Sequence, residues 1–123
     1  VCQRLRVPNE FRDLALLVAR YHTHCHRAAE LRAATLLETL EALDAFRRPE
    51  RVEGFVLACE ADFRGRTGYE ERPYPQADIF RHAYAAARAV DTAALATGRT
   101  GPEIAAAIHV ARIDAIRVLR ATA

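Results

Sequence analysis

A chain of 123 residues suits one small domain, and a hydrophobic fraction of 51% is enough for a core. All 18 basic residues are Arg, set against 16 acidic ones, so the net charge of +2 excludes broad attraction to nucleic acid and leaves only local patches. Cys2, Cys25 and Cys59 are isolated and odd in number, which argues against a zinc ribbon and a secreted disulfide framework, and no apolar run approaches the roughly 20 residues of a membrane span.

The chain opens in Gln3-Arg4-Leu5-Arg6, which reads as the last turn of a helix. With no Met anywhere, this leads us to expect a piece of a longer protein. Pro8 and Asn9 are expected to open the next helix, since Pro is tolerated in a first turn and Asn caps orphan amides. Phe11, Leu14, Ala15, Leu17, Val18 and Tyr21 then recur at helical steps, and His22, His24 and His26 fall near the end. A second helix is expected over 34–47, with Leu36, Leu37, Leu40, Leu43 and Phe46 as its stripe and Thr35 and Glu38 at capping-box spacing.

Pro49 starts a third helix reaching Arg64. The stretch 65–76, with Gly65, Gly68, Pro73 and Pro75 among charges, is a loop and the best internal boundary. An Ala-rich helix follows over 76–90, then a short segment over 92–96. Gly98-Arg99-Thr100-Gly101 is a break, and Thr100 with Glu103 forms a capping box. The last helix is expected over 102–119, with Ile104, Ala107, Ile108, Ala111, Ala115 and Leu119 on one side. The fold class is all-α. Many apolar residues are Ala, so helices pack closely while each buries little area.

Four constellations can carry chemistry. His22 and His26, four apart, share a helix face and can ligate one metal, while His24 points away. Glu60 and Asp62, two apart, cannot face the same way, so one reaches a site while the other is solvated or pairs with an arginine. Arg64-Gly65-Arg66-Thr67-Gly68 can approach an anion, since glycines let backbone come close and arginines make charge-assisted bonds. Arg99, beside a helix start, with Arg112, Arg117 and Arg120, can contact phosphates. The residues alone leave alternatives open: exposed histidines at a helix end, loop arginines paired with Glu60, Glu70 and Glu71, and a merely wet helix face.

The run Cys59-Glu60-Ala61-Asp62-Phe63-Arg64-Gly65-Arg66-Thr67-Gly68-Tyr69 resembles the bacterial CCA-adding enzymes, the long-form tRNA nucleotidyltransferases that also carry an HD-type phosphohydrolase domain. Arg6-Val7-Pro8-Asn9-Glu10, Val18-Ala19-Arg20-Tyr21-His22 and Tyr74-Pro75-Gln76 extend the resemblance, from Cys2 to about Arg120, to that enzyme's C-terminal part. It implies that 1–64 is the second half of an HD-type helical domain, 65–76 a linking loop, and 77–123 a helical tail that binds tRNA.

By the same resemblance His22, His26 and Asp62 match metal-site positions, while His24 matches none. Arg64, Arg66, Arg99, Arg112 and Arg117 become candidates for phosphate or RNA. The longer protein would act in the cytoplasm on tRNA, CTP and ATP. It would use Mg for nucleotidyl transfer and Mg or a transition metal at the HD site. The chain departs from the pattern in having no His-Asp dipeptide, no Gly-Ser and no paired-Asp signature, so neither activity is expected of it alone and no metal need be bound by it alone. An independently made helical module that binds a protein partner through its Ala- and Leu-rich faces is the alternative.

Overall fold

The structure, a computed structural model, describes the backbone of residues 2–66 and 68–122 and the side chains of 12–66 and 68–121. Six α-helices account for the fold, with no strand among the described residues: α1 (Cys2–His26), α2 (Ala33–Ala42), α3 (Glu50–Arg64), α4 (Pro75–Arg88), α5 (Thr92–Ala96) and α6 (Gly101–Thr122). A 3-10 turn (Ala28–Glu30) links α1 to α2.

The core forms where α2, α3, α4 and α6 meet. Leu36, Leu37 and Leu40 of α2, Phe55 and Val56 of α3, Phe80 and Ala87 of α4 and Ile116 of α6 are fully buried together. The buried cluster therefore draws side chains from both sides of the 65–76 loop. Phe55 and Phe80 meet edge to face, with ring centroids 5.8 Å apart. Ala77, Ala83 and Ala87 let α4 sit close to its neighbours, as the composition implies. Leu14, Leu17, Val18 and Tyr21 of α1 pack on this core only partly buried. The Phe11 side chain lies outside the described residues.

Several boundaries differ from the expectation. Gln3–Arg6 and Pro8 belong to one continuous helix, α1. Proline there removes one amide from the helix ladder rather than opening a new helix. The α2 helix starts at Ala33 and stops at Ala42. Thr35 therefore lies inside it, where its carbonyl accepts the Thr39 hydroxyl (3.0 Å), and the expected Thr35–Glu38 capping box does not form. Five residues earlier than expected, α2 gives way to a turn in which Asp44 takes φ 58°, a left-handed conformation that Asp tolerates better than most residues.

Pro49 precedes α3 as expected. Pro75, expected in the loop, occupies the first turn of α4, and the Asp91 carboxylate caps α5 by accepting the Ala94 amide (3.1 Å). Glu103 reaches back to accept the Thr100 amide (3.1 Å), the predicted capping box. The sheltered face of α6 is wider than the expected stripe: Ile104, Ala107, Ile108, Ala111, Ala115 and Leu119 are all partly buried, and the fully buried Ile116, with Ile113 beside it, extends that face where the helix meets α2 and α4.

Glu53 on α3 and Arg81 on α4 form a two-pronged ion pair, with N–O distances of 2.7 and 3.1 Å. Hydrogen bonding from Arg81 holds the Glu53 carboxyl below its ordinary range. A lowered folded-state value means stability gained above the unfolded glutamate range and lost as pH falls through the folded value. Both groups are substantially exposed, so the gain is small. Thermal melts of the chain and of Glu53→Gln are expected to differ slightly at neutral pH and to converge in acid. A constant gap across that range would show that Glu53 stabilises by some other means.

Candidate functional site

The ends of α1 and α3 and the start of α4 converge on one cluster. His26 is the last residue of α1, and α1 runs alongside α3, so its ring reaches Asp62 in the last turn of α3. His26 Nε2 lies 3.0 Å from Asp62 Oδ2. His26 Nδ1 lies 2.8 Å from the Tyr74 hydroxyl. The Gln76 side-chain amide donates to the His26 carbonyl at 3.0 Å. Phe63 stands against Tyr74 and Tyr69, with centroids 4.9 and 5.1 Å apart, and covers one side of the His26 ring.

Beneath this surface sit two buried thiols. The Tyr74 hydroxyl lies 3.3 Å from Cys25 Sγ. Burial, and then the contact with Cys25, push the Tyr74 phenol well above its ordinary range, so it stays protonated. Hydrogen bonding with Cys25, and then burial, push the Cys59 thiol upward. Both cysteines are fully buried, and hydrogen bonding with Cys59 lowers the Cys25 pKa while Cys59 is held as a thiol.

One turn before His26, His22 shares its face as the spacing predicts, with ring centroids 5.7 Å apart. His22 Nδ1 lies 3.0 Å from the Ala19 carbonyl and 3.1 Å from that of Val18. Carbonyls only accept, so Nδ1 carries the proton and the neutral ring keeps its Nε2 lone pair. A ring nitrogen held by a backbone carbonyl while the other is left free is the arrangement that metal-ligating histidines adopt. His22 and Asp62 both line an open groove of about 440 Å³ between α1 and α3, whose floor is Leu14, Ala15, Val18, Ala19 and Ala58.

Among the described residues no group of three His, Cys, Asp or Glu side chains is arranged to hold a metal ion. His24 points away from that groove, as expected, and ties α1 to α2: its Nδ1 donates to the buried Thr39 hydroxyl at 3.1 Å.

The arginines are largely engaged. Arg64 pairs with Glu60 (3.1 Å) and Arg66 approaches Asp62 (3.9 Å), so the two acids divide as their spacing requires. Arg99 donates to the Leu95 carbonyl (2.7 Å), and Arg117 pairs with Asp114 (3.0 Å) while staying exposed. Arg112 departs from the wet face. Its guanidinium stacks 3.7 Å from the Phe46 ring centroid, its Nε is buried without a hydrogen-bond partner, and burial lowers its pKa. Arg120 donates to the Ala29 and Leu31 carbonyls. It lies with Arg32 and Arg117 around a separate depression at the start of α2.

Tyr74 and Gln76 join the site although the amino-acid sequence gives them no role beyond the resemblance. Their only local signal is a tyrosine and a glutamine flanking the proline that starts a helix.

The chain is similar over 98% of its length to three multifunctional CCA proteins: 56% identical to that of Thioalkalivibrio sulfidiphilus, 53% to that of Teredinibacter turnerae and 50% to that of Pseudomonas fluorescens. It spans about 30% of the length of these relatives. No family model and no solved structure matches it.

Proposed function

Because this chain corresponds over nearly its whole length to the C-terminal region of bacterial multifunctional CCA proteins, we propose that it serves as that region of a CCA-adding tRNA nucleotidyltransferase. The longer protein adds C, C and A to tRNA 3′ ends from CTP and ATP, with Mg, in the cytoplasm. Its HD-type domain hydrolyses phosphate esters, including 2′,3′-cyclic ones, with Mg or a transition metal. This chain alone catalyses neither reaction. It forms one wall of the phosphohydrolase pocket, with His22, His26 and Asp62 at the rim, and it contacts tRNA.

The observation that supports this reading best is the meeting of His26 and Asp62 across 36 residues of sequence, on the groove that His22 lines. The pocket's remaining metal donors come from outside this chain. RNA contact falls to the exposed arginines Arg64, Arg66 and Arg117 and to Arg99, set in local patches on a chain of net charge only +2. Arg112, packed on Phe46, contributes through shape.

Titration of fluorescent tRNA at several salt concentrations tests the RNA reading. Each phosphate neutralised releases counterions, so the logarithm of affinity falls linearly with the logarithm of salt. Arg99→Ala with Arg117→Ala is expected to weaken binding and to flatten that slope by about 1 for each phosphate no longer neutralised. Arg64→Ala with Arg66→Ala is expected to change affinity less, because that loop serves the pocket. Equal affinity for the chain and both variants would remove the RNA reading. It would favour a helical protein-interaction module without catalysis, for which the exposed Leu16 and Leu57 are the supporting observation.

A further inference from the structure

We infer that His26 is a positioning residue for Asp62, clamped by the Tyr74-Pro75-Gln76 segment, and that it offers no nitrogen to a metal. An ionised carboxylate only accepts hydrogen bonds, so at 3.0 Å from Asp62 Oδ2 the His26 Nε2 must carry a proton. In the neutral ring Nδ1 is then the acceptor, and the Tyr74 hydroxyl at 2.8 Å donates to it. The same hydroxyl has Cys25 Sγ at 3.3 Å, a weaker and more distant acceptor. In the cationic ring both nitrogens carry protons. Neither form presents a lone pair, so the pair of contacts excludes metal ligation through His26 while they last.

What His26 does instead is fix a carboxylate. The Asp62 side chain is 50% exposed, and the His26 side chain beside it only 18%. Both His26 and Arg66 approach Oδ2, and Asp62 lines the same groove as His22. The clamp acts on His26 twice: Tyr74 holds its ring and Gln76 holds its backbone carbonyl, and both residues lie at the start of α4. A carboxylate whose second oxygen is held by a histidine matches the outer-shell supports that orient ligands in metal sites.

The inference rests on the pocket reading for its purpose but not for its test. Long-range proton–nitrogen NMR of the labelled chain at alkaline pH reads the ring directly. The expected result is a protonated Nε2 that keeps its proton through a Zn²⁺ titration, together with an Nδ1 resonance that moves downfield in Tyr74→Phe. His26→Gln, whose amide can still donate, is expected to keep the Asp62 carboxyl carbon resonance near its original position, whereas His26→Ala moves it. That comparison stands even if Tyr74→Phe does not fold. Loss of the Nε2 proton to Zn²⁺, an unmoved Nδ1 in folded Tyr74→Phe, or equal Asp62 shifts in the two His26 variants would overturn the proposal. Failure of the longer protein to hydrolyse phosphate esters would sink the pocket reading and leave these spectra unchanged.

Discussion

Phe55→Ala is expected to lower the stability of this chain by about 3–5 kcal/mol. Phe55 is fully buried and packs edge to face on Phe80. The same buried cluster holds Ala77, Ala83 and Ala87 of α4, side chains too small to close a large space left in it. A domain of this kind has only about 5–15 kcal/mol of net stability, so the loss takes a large share of it. By circular dichroism the melting midpoint is expected to fall by roughly 10–20 °C, and the transition to broaden. Leu57, two residues on and 53% exposed, is the control, and Leu57→Ala should stay within about 0.5 kcal/mol of the parent. Equal effects of the two substitutions would mean that α3 turns a different face to the core.

In the longer protein, His22→Ala and Asp62→Ala are each expected to reduce phosphohydrolase activity by at least roughly 10–100-fold, the range for losing even an outer-shell support of a metal site. CCA addition is expected to persist, because on the function proposed above its acidic metal-binding residues lie outside this chain. His22 keeps its Nε2 lone pair through its Nδ1 bonds to α1 carbonyls, and His22 and Asp62 line one groove. A parallel loss of both activities would point to unfolding, and circular dichroism of the variants separates the two cases. Unchanged phosphohydrolase rates in both variants would make these residues structural.

The elements are legible in the sequence wherever a residue type forces a backbone state. Pro49 marks the start of α3, and the Thr100–Glu103 pair marks that of α6. The end of α2 is not legible. Leu43 and Phe46 continue the apolar stripe, and only tertiary packing turns the chain at Asp44. On α6 the stripe from Ile104 to Leu119 is sheltered as its spacing implies, but the full burial of Ile116 beside it is set by the partners α2 and α4.

At the site, the shared face of His22 and His26 follows from their spacing. The meeting of His26 with Asp62 does not, because 36 residues separate them, and only the family resemblance hints at it. For Tyr74, 48 residues from His26, neither periodicity nor composition foretells the contact, and only its place beside Pro75 in the resemblance points to it. Arg112 reads as solvated because an amphipathic pattern cannot tell an arginine facing water from one lying over Phe46.

The spacing of α1 and α3 depends on a side chain that is not there. A Cβ at Gly54 would stand 3.0 Å from Leu14 Cδ2, so the two helices touch where α3 has only backbone. Glycine costs a helix interior about 0.5–1 kcal/mol relative to alanine. Leu14 is also part of the floor of the groove that His22 and Asp62 line, so a side chain added at Gly54 would press on that floor directly, two turns before Asp62 meets His26.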